Sequence, residues 1–179
     1  KASAILGLGW PGGPKIDKAA LLGEPCYALP RPKKKENGVY NFSFSGLKTA
    51  LLYGVCGQPK KINGVVTFEK NADDLTTEEK QNWAASFQLA AVDTLEAGLS
   101  HALECNNVKC IVVGGGVTAN TLLRSRLQTF ANEQNILTHL PDMTYCVDNA
   151  AMIAGLGYHL FRNGHCDSLE LSASPRGIA

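Results

Sequence analysis

Residues 108–120 read Val-Lys-Cys-Ile-Val-Val-Gly-Gly-Gly-Val-Thr-Ala-Asn. A β-branched run, three consecutive glycines and a return to helical periodicity from Thr118 to Phe130 spell a strand, a glycine turn and a helix. A second short apolar run, Ile136 to Leu140, predicts a strand parallel to the first in a right-handed βαβ unit, so the fold class is α/β. Gly114, Gly115 and Gly116 let backbone approach a ligand closely, and the helix beyond them offers unpaired N–H groups and the positive end of its dipole. A bound nucleotide is one reading of this turn. The other is a tight strand-to-helix connection capped by Thr118, with Asn120 a surface helix residue. The pattern is not GxGxxG and lacks the lysine of a P-loop, so neither a dinucleotide nor a Walker site is supported.

Working back toward the start, Trp83, Phe87, Ala90, Ala91, Leu95, Leu99 and Leu103 recur at helical spacing. They predict a long core helix, opened by Thr76 as N-cap with Glu78 and Glu79 in its first turn and running to about Glu104. Residues 58–75 read as polar and irregular apart from Val65 to Phe68. Ser45 reads as the N-cap of a short helix that ends between Gly54 and Gly57, with Phe42 and Phe44 packed inward beside it. Residues 26–41, with Lys33, Lys34 and Lys35 and with Asn37-Gly38, read as an exposed loop. Before it, Lys15 to Leu22 is helical and follows the turn-dense Pro11-Gly12-Gly13-Pro14; Lys1 to Leu8 resembles the last turns of an uncapped helix.

Toward the other end, Asp148 opens a helix whose Ala150, Ala151, Ile153, Ala154, Leu156 and Tyr158 make it apolar nearly all round, so it is expected to be buried. As an aspartate before an apolar helix Asp148 is a favoured N-cap; at the mouth of a cleft it could ligate a metal. The inventory holds only two firm strands, and a two-stranded parallel sheet cannot cover its own edges. Residues 1–179 are accordingly expected to be one lobe fragment, the C-terminal piece of a larger two-lobed protein whose N-terminal lobe is absent.

The chain has 17 basic and 16 acidic side chains, which excludes a protein that coats polyanions by net charge. No apolar stretch approaches the roughly 20 residues of a membrane span, which points to a cytoplasmic protein. The six cysteines show no CxxC spacing and are expected to be reduced thiols. His101, His139, His159 and His165 form neither HxxxH nor HExxH, and no Ser-His-Asp or Cys-His set is recognisable, so peptidase chemistry and covalent catalysis are unsupported. Lys48, in the short helix after Ser45-Gly46-Leu47, could reach a phosphate or only water, and Asp17 lies close to any ligand resting on the Gly12-Gly13 turn.

Four segments together resemble one family: residues 11–17 (PGGPKID), 41–49 (NFSFSGLKT), 114–120 (GGGVTAN) and 146–154 (CVDNAAMIA). It is the tRNA threonylcarbamoyladenosine transferase family, TsaD, formerly described as O-sialoglycoprotein endopeptidase. The resemblance implies a helix-rich C-terminal part of an actin-like, ribonuclease-H-like ATPase fold with an incomplete sheet. It implies transfer of a threonylcarbamoyl group from threonylcarbamoyl-AMP to N6 of adenosine 37 in tRNAs that read codons beginning with A. Carried over by residue, Gly13, Asp17 and Asn120 would contact the nucleotide, threonylcarbamoyl-AMP or ATP, and Gly114 to Gly116 would seat it. Asp148 would be one ligand of an iron or zinc ion. The family's two metal-binding histidines stand in an HxxxH motif that this chain lacks, and a further acidic ligand would fall just before Lys1, so this portion alone is expected to be inactive.

Implied partners are tRNA, companion proteins of the same pathway including a same-fold paralogue, and a second copy of this fragment as an alternative cover for the open sheet edge; a membrane is not among them. Lys33, Lys34, Lys35 and Lys48, with Arg124 and Arg126, are candidate contacts to nucleotide or tRNA phosphates. The competing function is a non-catalytic adenine-nucleotide-binding or assembly module of the same fold, with metallopeptidase the weakest alternative.

Overall fold

The computed structural model describes residues 1–31, 33–36 and 39–172, and for 33–36 and 39–40 the backbone alone. Two short helices open the chain, α1 (Ala2–Ile5) and α2 (Gly12–Ala20). A hairpin follows, β1 (Lys33–Glu36) and β2 (Val39–Phe42), antiparallel with Lys33 opposite Phe42 and Glu36 opposite Val39. Part of the stretch expected to be loop is thus a ladder, because backbone hydrogen bonds join strands whatever the side chains carry. Phe42, expected to pack inward, is 47% exposed, whereas Phe44 packs against the core. Helix α3 (Ser45–Cys56) begins one residue earlier than the cap assignment required: Phe44 occupies the cap position, and no side chain makes a capping bond.

A second hairpin, β3 (Lys60–Ile62) and β4 (Val65–Thr67), lies in a stretch expected to be mostly irregular. Asn63 and Gly64 connect its strands at φ +51° and +81°, the pairing of positive φ values that fits the twist of a two-residue hairpin. Helix α4 (Thr77–Cys105) starts as expected, with a capping box in which the Glu79 N–H donates to the Thr76 hydroxyl and the Glu79 carboxylate accepts from the Thr76 N–H. The Thr76 N–H foremost, and then the Thr76 hydroxyl, donate to the Glu79 carboxylate and hold it below its ordinary value. Their stabilising contribution is present above the unfolded glutamate pKa and is lost as pH falls through the depressed folded one.

The last third is the expected βαβ unit: β5 (Cys110–Val112), α5 (Thr121–Glu133) and β6 (Leu137–His139), with Cys110 beside Leu137 and Val112 beside His139 in parallel register. Helix α6 (Ala150–Arg162) closes the described elements. Three two-stranded sheets result, and no larger sheet forms among the described residues.

Helix α4 is the spine. Its first half packs Trp83, Ala84 and Ala90 against Leu6, which directly follows α1, and against Ile16, Leu47, Leu51 and Val55 of α2 and α3. Its second half carries Val92, Leu95 and Leu99 against Leu123 and Leu127 of α5, and Leu103 joins Ile111 and Phe130 under the small sheet. Trp83 also stacks on Tyr27, with ring centroids 3.8 Å apart.

Helix α6 departs from expectation. Ile153, Leu156 and Phe161 are 65%, 58% and 69% exposed, and the whole helix lies open. Its apolar pattern records a demand for burial that no described element of this chain meets.

Gly23 sits where the segment after α2 meets α4, and a Cβ there would lie 2.2 Å from the Gln81 carbonyl carbon. Backbone cannot yield as a side-chain tip can, so Gly23→Ala is expected to destabilise the chain by about 2 kcal/mol or more. Urea unfolding checks this: the midpoint falls with little change in slope, and an unchanged midpoint would contradict the packing described.

Candidate nucleotide site

Three helices converge on one hydrogen-bonded cluster. Asn120 directly precedes α5 and is its N-cap, accepting the Leu123 N–H on Oδ1 at 2.9 Å. Its Nδ2 donates to Asp17 Oδ1 of α2 at 2.9 Å and to Gln88 Oε1 of α4 at 2.8 Å. Thr121 completes the clasp: its hydroxyl donates to Asp17 Oδ1 at 2.9 Å and its N–H lies 3.2 and 3.3 Å from the two carboxylate oxygens. A carboxylate from one helix thus sits on the first turn of another, where free N–H groups and the dipole favour negative charge.

The cap of α5 is therefore Asn120, not Thr118. Thr118 is 3% exposed and its hydroxyl donates to the Gly115 carbonyl at 2.7 Å, which closes the short 3-10 turn of residues 116–119. Gly115 has φ +88°, a conformation that L side chains rarely adopt. Gly114 and Gly115 are exposed, and a Cβ on either would meet nothing within 4 Å, so their open side is free for close approach by a ligand. Gly13, exposed in the first turn of α2, is open in the same way.

Gln88 escaped the sequence reading because it stands among the core positions of a long apolar helix. Its signal was there: a polar residue 6% exposed needs a partner, and Asn120 supplies it. Beside the clasp, Gln88 and Thr121 also line a groove of about 370 Å³ whose other walls include Ala20, Leu21, Leu89 and Leu122.

Asp148 lies just outside α6. The cap of that helix is Asn149, which accepts the Met152 N–H at 3.0 Å, so the capping explanation for Asp148 falls away. Asp148 is exposed and makes no hydrogen bond or ion pair with the described residues. Among the described residues no group of three or more His, Cys, Asp or Glu side chains stands close enough to hold a metal ion. Asp148 can therefore offer one carboxylate to a metal and no more of a ligand set. Two residues upstream Cys146 is buried, and all six cysteines are free thiols.

The candidate phosphate contacts divide. Lys48 is half-buried on α3 and has no ion-pair partner among the described residues, which leaves its ammonium available. Arg126 is taken up by Asp93, at 3.2 Å, and by Glu96. Arg124 is committed to internal carbonyls. The side chains of Lys33, Lys34 and Lys35 lie outside those described. No helix among the described residues is long and apolar enough to cross a membrane.

A family profile described as TsaD: tRNA N6-adenosine threonylcarbamoyltransferase matches residues 1–155. The chain belongs to the TsaD family. The relative from Thermosipho africanus, named tRNA N6-adenosine threonylcarbamoyltransferase, is 43% identical over 176 residues, covering 98% of this chain and 48% of that protein. Proteins of the same name from Caldicellulosiruptor saccharolyticus and Bacillus cereus are 42% and 38% identical, with 98% of this chain and 48% and 47% of theirs covered. The chain spans about half the length of the curated TsaD relatives it matches. The matched residues contain the whole clasp, the glycine turn and Asp148.

Two substitutions separate structural from chemical duty. Asn120→Ala removes a helix cap and leaves buried Gln88 short of a donor, for an expected loss of about 2 kcal/mol. Asp148→Ala is expected to change stability by less than about 0.5 kcal/mol. Equal losses on urea unfolding would show that Asp148 has structural work to do and would undo this division.

Proposed function

We propose that the chain forms the C-terminal lobe portion of a two-lobed, actin-like tRNA N6-adenosine threonylcarbamoyltransferase acting in the cytoplasm. The reaction would move a threonylcarbamoyl group from threonylcarbamoyl-AMP to N6 of adenosine 37 in tRNAs that decode ANN codons. One observation carries the reading: Asp17 and Asn120, 103 residues apart in sequence, meet beside an open glycine turn on the first turn of α5.

In this reading Gly114, Gly115 and Gly116 seat the nucleotide, since the absence of side chains lets its sugar and phosphates lie against backbone. Gly13 does the same from the start of α2. Asn120 and Asp17 hold the adenosine end, with Gln88 fixing which way the Asn120 amide faces. Lys48 is a candidate for the phosphate or for tRNA, as are Lys33, Lys34 and Lys35. Asp148 contributes one carboxylate to a divalent metal, iron or zinc, whose other ligands come from outside the described residues. Such a metal would supply Lewis acidity toward the carbamoyl carbonyl. Companion proteins, among them one of the same fold, would complete the assembly around the tRNA.

Calorimetric titration of ATP tests the nucleotide seat, using both the 179-residue chain and a full-length polypeptide carrying it. Binding is expected in at least one of them, weakened about tenfold or more by Asn120→Ala. Absence of binding in both, or binding indifferent to that substitution, would overturn the assignment of these residues.

A further inference from the structure

Two loops meet at the mouth of the candidate site, one carrying the glycine turn and the other leading to Asp148, and a single guanidinium ties them together. Arg124, one turn into α5 and half-buried, donates from Nη1 to the Thr118 carbonyl at 3.1 Å, on the glycine-turn side. Its Nη2 donates to the Pro141 carbonyl at 2.9 Å, on the Asp148 side. Nη1 also approaches the Cys146 Sγ at 3.7 Å, while that thiol, 2% exposed, donates to the Asp142 carbonyl at 3.4 Å.

The loops also run close together. A Cβ at Gly116 would lie 3.8 Å from Val147 Cγ1, one residue before Asp148. Asp142 accepts the Thr144 N–H and hydroxyl at 3.0 and 2.8 Å, so the second loop is internally ordered where Arg124 grips it. The hydrogen-bond partners of Arg124 are two carbonyls and a thiol, not a carboxylate. A planar fork of fixed donors suits that task, and an ammonium, which lacks the fork geometry, suits it less well.

We infer that Arg124 is a positioning residue which holds the loop that carries Asp148 at a fixed place relative to the glycine turn. The inference rests on the reading given under Proposed function, in which the turn holds the nucleotide and Asp148 a metal. Arg124 touches neither ligand; it acts by holding two loops whose groups must cooperate. Displacement of a reacting group by about 1 Å costs on the order of a hundredfold in rate, and loss of supporting hydrogen bonds around a metal ligand typically costs about 10- to 100-fold. The adenosine end, held from α2 and α4, does not depend on this staple.

Arg124→Met and Arg124→Lys in the full-length polypeptide test the inference. Arg124→Met is expected to lower kcat for transfer by about tenfold or more while the ATP dissociation constant moves by less than about threefold, and Arg124→Lys to recover part of the rate. In the 179-residue chain, labelling of Cys146 by a thiol reagent, read by mass spectrometry at that residue, is expected to accelerate about tenfold in Arg124→Met, with Arg124→Lys between. Unchanged kcat, or a parallel loss of ATP affinity and kcat, would overturn the positioning role. Unchanged labelling would show that Arg124 does not hold the loops, and would overturn it too. A wild-type protein that neither transfers nor binds ATP would refute the proposed function and with it the role built on it, whereas the labelling would still report whether the staple exists.

Discussion

The carboxylate of Asp17, set on the first turn of α5, is the interaction on which the arrangement of the site depends. It accepts three donors from two successive residues, Asn120 and Thr121. Through the Asn120 amide it is joined to Gln88 on α4. One cluster of polar atoms therefore fixes α2, α4 and α5 relative to one another at the point where the glycine turn emerges. A half-buried carboxylate in such a place is stabilised by several hydrogen bonds and by the dipole of the helix it faces, and it satisfies N–H groups that the helix cannot satisfy itself. The geometry of the turn is then a consequence of how two distant segments of chain are pinned.

Helix α4 makes that pinning affordable in packing terms. It serves two apolar clusters along one length, the first with α1, α2 and α3 and the second with α5. Gln88 lies in the stretch between Trp83 and Val92, where the first cluster gives way to the second, so the polar clasp occupies the seam between two packed regions. Beyond α5 the order of the molecule becomes more local: a two-stranded parallel sheet, a loop stapled by Arg124, and a helix whose apolar residues meet no described partner.

Much of this was legible in the sequence. The βαβ unit followed from residues 108–140, because β-branched runs and glycine punctuation act locally. The long helix followed from its period and from Thr76 and Glu79. The small hairpins were less visible: Asn63-Gly64 is a strong turn signal, but strands of three residues give too short an alternation to stand out. The exposure of α6 is not legible in its sequence, since periodicity reports what a helix needs and not what the chain supplies. At the site, Asp17 is visible beside the Gly12-Gly13 turn and Asn120 after the glycine turn, but only the family resemblance gives them a common ligand, and their pairing across 103 residues is a tertiary fact. Gln88 and the staple by Arg124 carried no motif at all; buried polar side chains disclose their purpose only when their partners are known.

The most direct test of the clasp is a double-mutant cycle on Asp17→Ala and Asn120→Ala, with unfolding free energies measured in urea. If the two side chains act as one unit, the losses are non-additive, with a coupling of about 1 kcal/mol or more. Losses that add to within about 0.3 kcal/mol would mean that α2 and α5 are held independently, and the central interaction of this account would not exist.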